Sequence, residues 1–202
     1  KEPIMASNDV AVGKANPAGV LYWAPLGTPL PTDPTTPLNS AFKPVGLLNE
    51  DGLTNAADMD KTEVADMDGN TVLTIVSSYK ETMQFVMLET NENSLKMRYG
   101  TENVSTTGNI TKVDHKVPSG ERLVLVADIL MAGNDKRQRK IMPDATLGEV
   151  GDVQYHSSDA ITYDVTYSLN KSDLIDGATM RDYIAPITTA AAAAVTPPAH
   201  HD

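Results

Sequence analysis

Apolar residues along this chain recur mostly with a period of two. Residues 82–88 set Met83, Phe85 and Met87 against Thr82 and Gln84, and residues 121–131 set Leu123, Leu125, Ala127 and Ile129 against Arg122, Val124, Val126 and Asp128. Successive side chains of a strand point to opposite faces, so both segments predict strands. The cleanest pattern puts Ile161, Tyr163, Val165, Tyr167 and Leu169 on one face and Thr162, Asp164, Thr166, Ser168 and Asn170 on the other. One side of that strand is expected to meet water. From Thr71 onward, Val72, Thr74 and Val76 alternate with Leu73 and Ile75, which predicts a strand buried on both sides for part of its length. The run Gly19-Val20-Leu21-Tyr22-Trp23, apolar and bounded by Gly and Pro, reads as a further strand.

Helical spacing occurs once. Thr90 is placed to cap, Glu92 lies in the first turn where the helix dipole favours an anion, Leu95 and Tyr99 share a face, and Gly100 terminates. A three-turn helix over residues 90–99, covering one sheet face, is expected. Thr-rich alternation in residues 101–120 is broken by Gly108-Asn109 and predicts a hairpin. Pro25, Pro29, Pro31, Pro34 and Pro37 make residues 24–39 an extended loop, since each removes a backbone donor and fixes φ. Regularity fades after Leu169, and the Ala/Thr/Pro-rich residues 187–202 are expected to form a flexible tail.

The 202 residues suffice for one domain, expected over residues 1–186 and mainly β. Sixteen Lys and Arg against 27 Asp and Glu give a net charge of −11, which repels phosphate and excludes a conventional nucleic-acid binder. With no cysteine, disulfides, thiolate metal sites and Cys nucleophiles are excluded together. No apolar run reaches the length of a membrane-spanning helix, and residues 1–13 lack the order of a signal peptide, so a soluble chain is expected.

Two charge blocks stand out. Ala-Asp-Met-Asp occurs at residues 57–60 and again at 65–68, in a window holding Asp58, Asp60, Glu63, Asp66 and Asp68. A calcium loop starting at Asp58 needs Gly at its sixth place and Glu at its twelfth, but Glu63 and Gly69 stand there. An exposed acidic arm at about residues 49–70, turning at Asp68-Gly69, is the favoured reading, and it is expected to be mobile in the free subunit. The basic block is Lys136, Arg137, Arg139 and Lys140. It reads as a phosphate site, as a solvated hairpin end, or as a patch meeting the acidic arm of a neighbouring subunit; the last is preferred because the partner charge exists in the same chain. His115, His156, His200 and His201 are too scattered for a metal site, and no nucleophile elbow, phosphate loop, dinucleotide fingerprint or zinc-protease motif occurs. No enzyme and no cofactor are expected.

The order of several words resembles one family, the major tail (tail tube) protein of long-tailed siphoviruses, especially phages of actinobacteria. They begin with Asn8-Asp9-Val10-Ala11-Val12-Gly13-Lys14, Tyr22-Trp23-Ala24-Pro25-Leu26-Gly27-Thr28-Pro29-Leu30-Pro31 and Gly46-Leu47-Leu48-Asn49-Glu50-Asp51-Gly52-Leu53. Asp68-Gly69-Asn70-Thr71-Val72, Leu95-Lys96-Met97-Arg98-Tyr99-Gly100, Arg139-Lys140-Ile141-Met142-Pro143 and Asp159-Ala160-Ile161-Thr162-Tyr163-Asp164 follow in register. The chain departs from the family in its Ala-Asp-Met-Asp arm and in a tail too short for the immunoglobulin-like domain that some members add. The resemblance implies a β-sandwich flanked by a helix, assembled as stacked hexameric rings around a tape measure protein and meeting tail terminator and distal tail proteins. It implies a virion tail component, assembled in the host cytoplasm, that conducts DNA without gripping it, with no membrane involved. Thr162, Asp164, Thr166 and Ser168 are then the candidate lumen row, an outer solvated face being the other reading. A carbohydrate- or receptor-binding β-sandwich module is the alternative function, and it would need clustered exposed aromatics.

Overall fold

The computed structural model describes residues 10–16 and 19–187. Eleven strands follow one another as β1 (Val12–Ala15), β2 (Leu21–Pro25), β3 (Lys43–Pro44), β4 (Leu48–Ala65), β5 (Thr71–Met87), β6 (Val104–Thr107), β7 (Ile110–Val113), β8 (Arg122–Ala132), β9 (Lys136–Val150), β10 (Tyr163–Leu169) and β11 (Arg181–Pro186). The helix α1 (Glu92–Tyr99) lies between β5 and β6. Nine strands form one antiparallel sheet in the order β3-β2-β8-β9-β10-β5-β4, with β1 beside β8 and β11 beside β9, while β6 and β7 pair apart from it. The expected class, mainly β with one flanking helix and a long hairpin arm, is the class observed.

The period-two pattern explains the core. Along β10, Tyr163, Val165, Tyr167 and Leu169 are buried while Asp164, Thr166 and Ser168 are half-buried. They pack with Met83, Phe85 and Met87 of β5, Leu123 and Leu125 of β8, and Leu95 and Met97 of α1. Phe85 and Tyr167 stack with ring centroids 5.9 Å apart. The Tyr167 hydroxyl donates to the Met97 carbonyl at 2.8 Å, tying the helix to the sheet, and burial pushes the phenol's pKa up. The other face of β8 is apolar too: Val124 and Val126 join Ala24, Phe42 and Ile141 in a second, smaller core, with Leu30 and Leu38 of the Pro-rich loop packed on it.

Three local expectations are corrected. Asn91, not Thr90, caps the helix: its side chain accepts from the Ser94 amide at 2.9 Å while the Ser94 hydroxyl accepts from the Asn91 amide at 3.0 Å. Thr90 instead bonds the Tyr163 hydroxyl at 3.0 Å, and the helix has eight residues, about two turns. The strand from Thr71 to Val76 is not buried, for Val72, Leu73, Ile75 and Val76 are all at least half exposed. β9 runs through Pro143. Leu123 pairs with Ala145 and Leu125 with Met142, so Pro143 and Asp144 both sit opposite Val124 in a bulge, where a missing donor costs no ladder bond. The third correction is β11, which continues regular structure beyond Leu169 and pairs Arg181–Pro186 with β9. The tail expected after Pro186 lies, from residue 188, outside the described residues. The hairpin expected at Gly108-Asn109 is present, with Thr107 paired to Ile110 across a two-residue turn and Gly108 at φ 61°.

Candidate functional site

The largest feature without a covering layer is the ribbon of β4 and β5. Their ladder continues from Leu53↔Phe85, over the core, to Ala65↔Thr71 at the tip. The arm expected at residues 49–70 is therefore one half of a longer hairpin. Asp66 builds its turn, accepting from the amides of Asp68 at 2.9 Å and Asn70 at 2.8 Å. The bond from Asn70 is the main reason that the Asp66 carboxyl titrates below its ordinary range. Asp60 accepts from the Ser78 hydroxyl at 2.7 Å and Glu63 from Thr71 at 3.2 Å, so both are cross-strand ties. At the root, the buried Glu81 carboxylate accepts from Asn55 at 3.0 Å and from the Thr179 hydroxyl.

Beyond that root the ribbon is apolar on both faces. A bulge skips Ser77, since Asp60 pairs with Ser78 and Lys61 with Val76. Val64↔Leu73 and Thr62↔Ile75 then share one face, while Val76 lies opposite Lys61 on the other and Met59 opposite Tyr79. Met67, at the tip, is fully exposed. An isolated two-stranded ribbon is marginal in water, and nothing else among the described residues covers this one.

A second surface is the face of β4-β5-β10-β9 turned away from the core. Register places Thr54 beside Gln84 and Gln84 beside Thr166, with Asp164 beside Val86. Thr166 pairs onward with Glu149, and Ser168 with Thr146. Gln84 donates to both Asp164 oxygens, at 3.1 and 3.2 Å. Thr162 precedes β10 with the same parity and is half-buried. The expected row is thus one line in a four-stranded carpet of hydroxyls, amides and carboxylates. The corresponding face of β2-β8-β9, by contrast, lies under the Pro-rich loop.

The basic block is placed differently from expectation. Arg139 is 2% exposed and grips Asp128, Nε to Oδ1 at 2.6 Å and Nη2 to Oδ2 at 2.9 Å. Its Nη1 donates to the carbonyls of Asp33 at 2.9 Å and Thr36 at 2.7 Å, which ties down the Pro-rich loop. Arg137 donates to Asp128 at 2.6 Å, and Lys140 to Asp182 at 2.7 Å. The block therefore meets acids of its own chain, and Arg137 and Arg139 are structural. Asp128 was visible in sequence as a polar break in an apolar strand; that it is buried under two arginines was not.

The ten aromatics are all described, and the two well-exposed ones, Tyr79 and Tyr155, lie on the arm and in the loop before β10. They do not form a stacking platform for a sugar. Among the described residues no helix is long and apolar enough to cross a membrane, and no three His, Asp or Glu side chains are grouped to hold a metal ion.

Comparison with known proteins agrees with this picture. No curated protein matches the chain. Among solved structures, the anti-feeding prophage tube-terminating cap aligns with 91% of this chain and all of its own at 8% identity and a TM-score of 0.42. The sheath-tube complex of an extracellular contractile injection system, PVC, in its extended state, aligns with 91% of this chain and all of its own at 10% identity and a TM-score of 0.40. The C6-symmetric tail of an empty GTA particle aligns with 77% of this chain and 93% of its own at 5% identity and a TM-score of 0.39. Likenesses at that level carry no argument here. The sequence profile of a phage tail tube protein family, however, matches residues 5–172, and the chain belongs to that family.

Proposed function

We propose that six copies of this chain close into a ring and that rings stack into the tube through which a siphovirus, of the actinobacterial type, ejects its DNA. The observation that carries this reading is the uncovered polar face of β4-β5-β10-β9. Four strands from each of six subunits make a 24-stranded barrel; at about 4.8 Å between strands and a tilt of about 40° its backbone diameter is about 48 Å. Side chains leave roughly 35–40 Å, enough for a duplex. On that face Asp58, Asp60, Glu149 and Asp164 stand against Lys80. Like charge on the wall leaves a passing phosphate backbone few binding minima. Ring closure also covers the β4 edge that a lone subunit leaves open.

The β4-β5 arm is the contact between successive rings, made through Met59, Val64, Met67, Leu73 and Ile75. Asp58, Asp60, Glu63, Asp66 and Asp68 give it one sign of charge and so fix orientation. A tape measure protein fills the lumen before ejection, and terminator and distal tail proteins cap the two unlike ends that such a polymer must have. The protein acts as a structural part of the virion, assembled in the host cytoplasm, with residues 1–186 as the tube domain.

Electron microscopy of the assembled chain carrying Thr166→Cys, labelled with a small gold cluster before assembly, tests the lumen. Gold along the tube axis is the expected result. Gold on the outer wall, or a chain that forms neither rings nor tubes at any concentration, overturns the reading.

A further inference from the structure

Resting on the tube reading, we infer that the acidic arm of one copy docks on the β6-β7 hairpin and following loop of the next, at Ile110, Lys112, Lys116 and Val117. Three observations converge on this acceptor. The first is position. From the arm, β5 runs the length of the sheet to Met87, which pairs with Tyr163, and the chain then passes directly into α1. β6 packs against α1, and its Thr106 shares a 3.1 Å hydroxyl contact with Thr111 of β7. Val113 and His115 line a pocket with Thr90 and Tyr163. The β6-β7 hairpin therefore lies at the pole opposite the arm, as a head-to-tail stack requires.

The second observation is charge. Arg137, Arg139 and Lys140 are bound within their own chain, whereas Lys112 and Lys116 share a single carboxylate, Asp114, at 3.1 and 3.9 Å, with their side chains 65% and 71% exposed. Residues 49–80 carry seven carboxylates against Lys61 and Lys80. The third is apolar surface. Ile110 is 74% exposed and Val117 92%, flanking the two lysines, just as Met67, Val64 and Leu73 flank the arm's acids. Each surface is an apolar patch with charge beside it, and the signs are opposite.

The native chain has no cysteine, so paired cysteines report this contact without background. Met67→Cys with Ile110→Cys on one chain, oxidised mildly, should give a ladder of disulfide-linked multimers, because a head-to-tail contact leaves both ends open. Either single substitution should stop at dimers. In the second arm of the experiment, Lys112→Glu with Lys116→Glu should raise the concentration needed for half-maximal pelleting of polymer about tenfold, the factor equivalent to 1.4 kcal/mol per contact. Glu63→Lys with Asp68→Lys should do the same, and combining the four should recover most of the loss. Circular dichroism of each variant confirms a folded chain. No ladder, together with normal pelleting of the lysine variant, overturns the acceptor while leaving the arm intact as the contact. If deleting residues 60–76 leaves assembly unchanged, the arm reading itself falls.

Discussion

Replacing Asp128 by Ala removes the one carboxylate that faces two guanidinium groups in the interior. Asp128 and Arg139 are each 2% exposed, and three hydrogen bonds of 2.6 to 2.9 Å join Asp128 to Arg139 and Arg137. The attraction of such a pair roughly offsets its own desolvation, so the pair as a whole contributes little. Breaking it is a different matter: Arg139 stays buried, still bound to the Asp33 and Thr36 carbonyls, with no counter-charge. That state costs about 3–5 kcal/mol. Asp128→Asn keeps the shape and loses the charge, and should cost less than Ala but in the same direction.

Urea unfolding of the unassembled subunit measures this. With a slope of about 2–3 kcal/mol per molar, the Ala variant's midpoint should fall by about 1–2 M. A double replacement, Asp128→Leu with Arg139→Met, should recover part of the loss, because two apolar side chains leave no unpaired charge. It should not recover all of it, since the Asp33 and Thr36 carbonyls lose their donor and the Pro-rich loop its tie. A midpoint shift below about 0.3 M for Asp128→Ala would refute the reasoning, since that is the scale of an exposed ion pair. Arg137→Glu with Arg139→Glu should likewise unfold the subunit.

Three further outcomes follow from named contacts. Asn91→Ala should cost about 1 kcal/mol in the same assay, because the side-chain acceptor for the Ser94 amide is lost, and Thr90→Ala should not weaken the cap. Leu73→Ser with Ile75→Ser should leave the unfolding free energy within about 0.5 kcal/mol of the parent while abolishing polymer in a pelleting assay, since both side chains are half exposed in the subunit. Asp66 titrates below the ordinary carboxylate range, so the stability it lends to the turn is present above that range and is lost as pH falls through its lowered pKa. The protection factors of the Gly69 and Asn70 amides should fall on acidification below the usual carboxylate pKa; protection unchanged there would remove Asp66 from the turn.

Alternation made the core strands legible before any coordinates. The segments around Met83, Leu125 and Val165 carry it because one face of each packs on the central core. The same rule misread Val72, Leu73, Ile75 and Val76. Apolar alternation records a face meant for burial but does not say whether the covering surface belongs to the same chain. Arg137 and Arg139 failed for a related reason: a run of cations looks solvated until its counter-charge, Asp128, is brought opposite by a hairpin between β8 and β9. Pro143 hid the continuity of β9, because a bulge is a property of two strands and leaves no mark on one. Asn91 was missed for Thr90 since both residue types cap, and only the Ser94 hydroxyl, returning to the Asn91 amide, discriminates them.

The arm sets the energetic argument for assembly. Met59, Val64, Met67, Val72, Leu73, Ile75 and Val76 each leave close to half or more of their surface in water in the subunit. Burying the rest of such a side chain is worth about 1 kcal/mol, so one arm holds roughly 5–10 kcal/mol of unused apolar burial. Ordering and docking it consume several kcal/mol of that, which leaves a single arm contact weak. Weakness in one contact is compatible with a strong tube if, as proposed, a ring engages several arms at once, since their dissociation must then be concerted. Its acidic residues add little to that total, since exposed pairs are worth about 0.2–1 kcal/mol each, but they disfavour arm-to-arm pairing, the one contact that two apolar ribbons would otherwise make before any ring exists. Neutralising them should therefore yield arm-paired dimers and amorphous aggregate in place of tubes. Removing Asp58, Asp60, Glu63 and Asp68 together as the Asn and Gln variants, then reading particle shape by electron microscopy, distinguishes this from a purely attractive role: fewer tubes of normal shape, with no aggregate, would show that the charges serve only to attract.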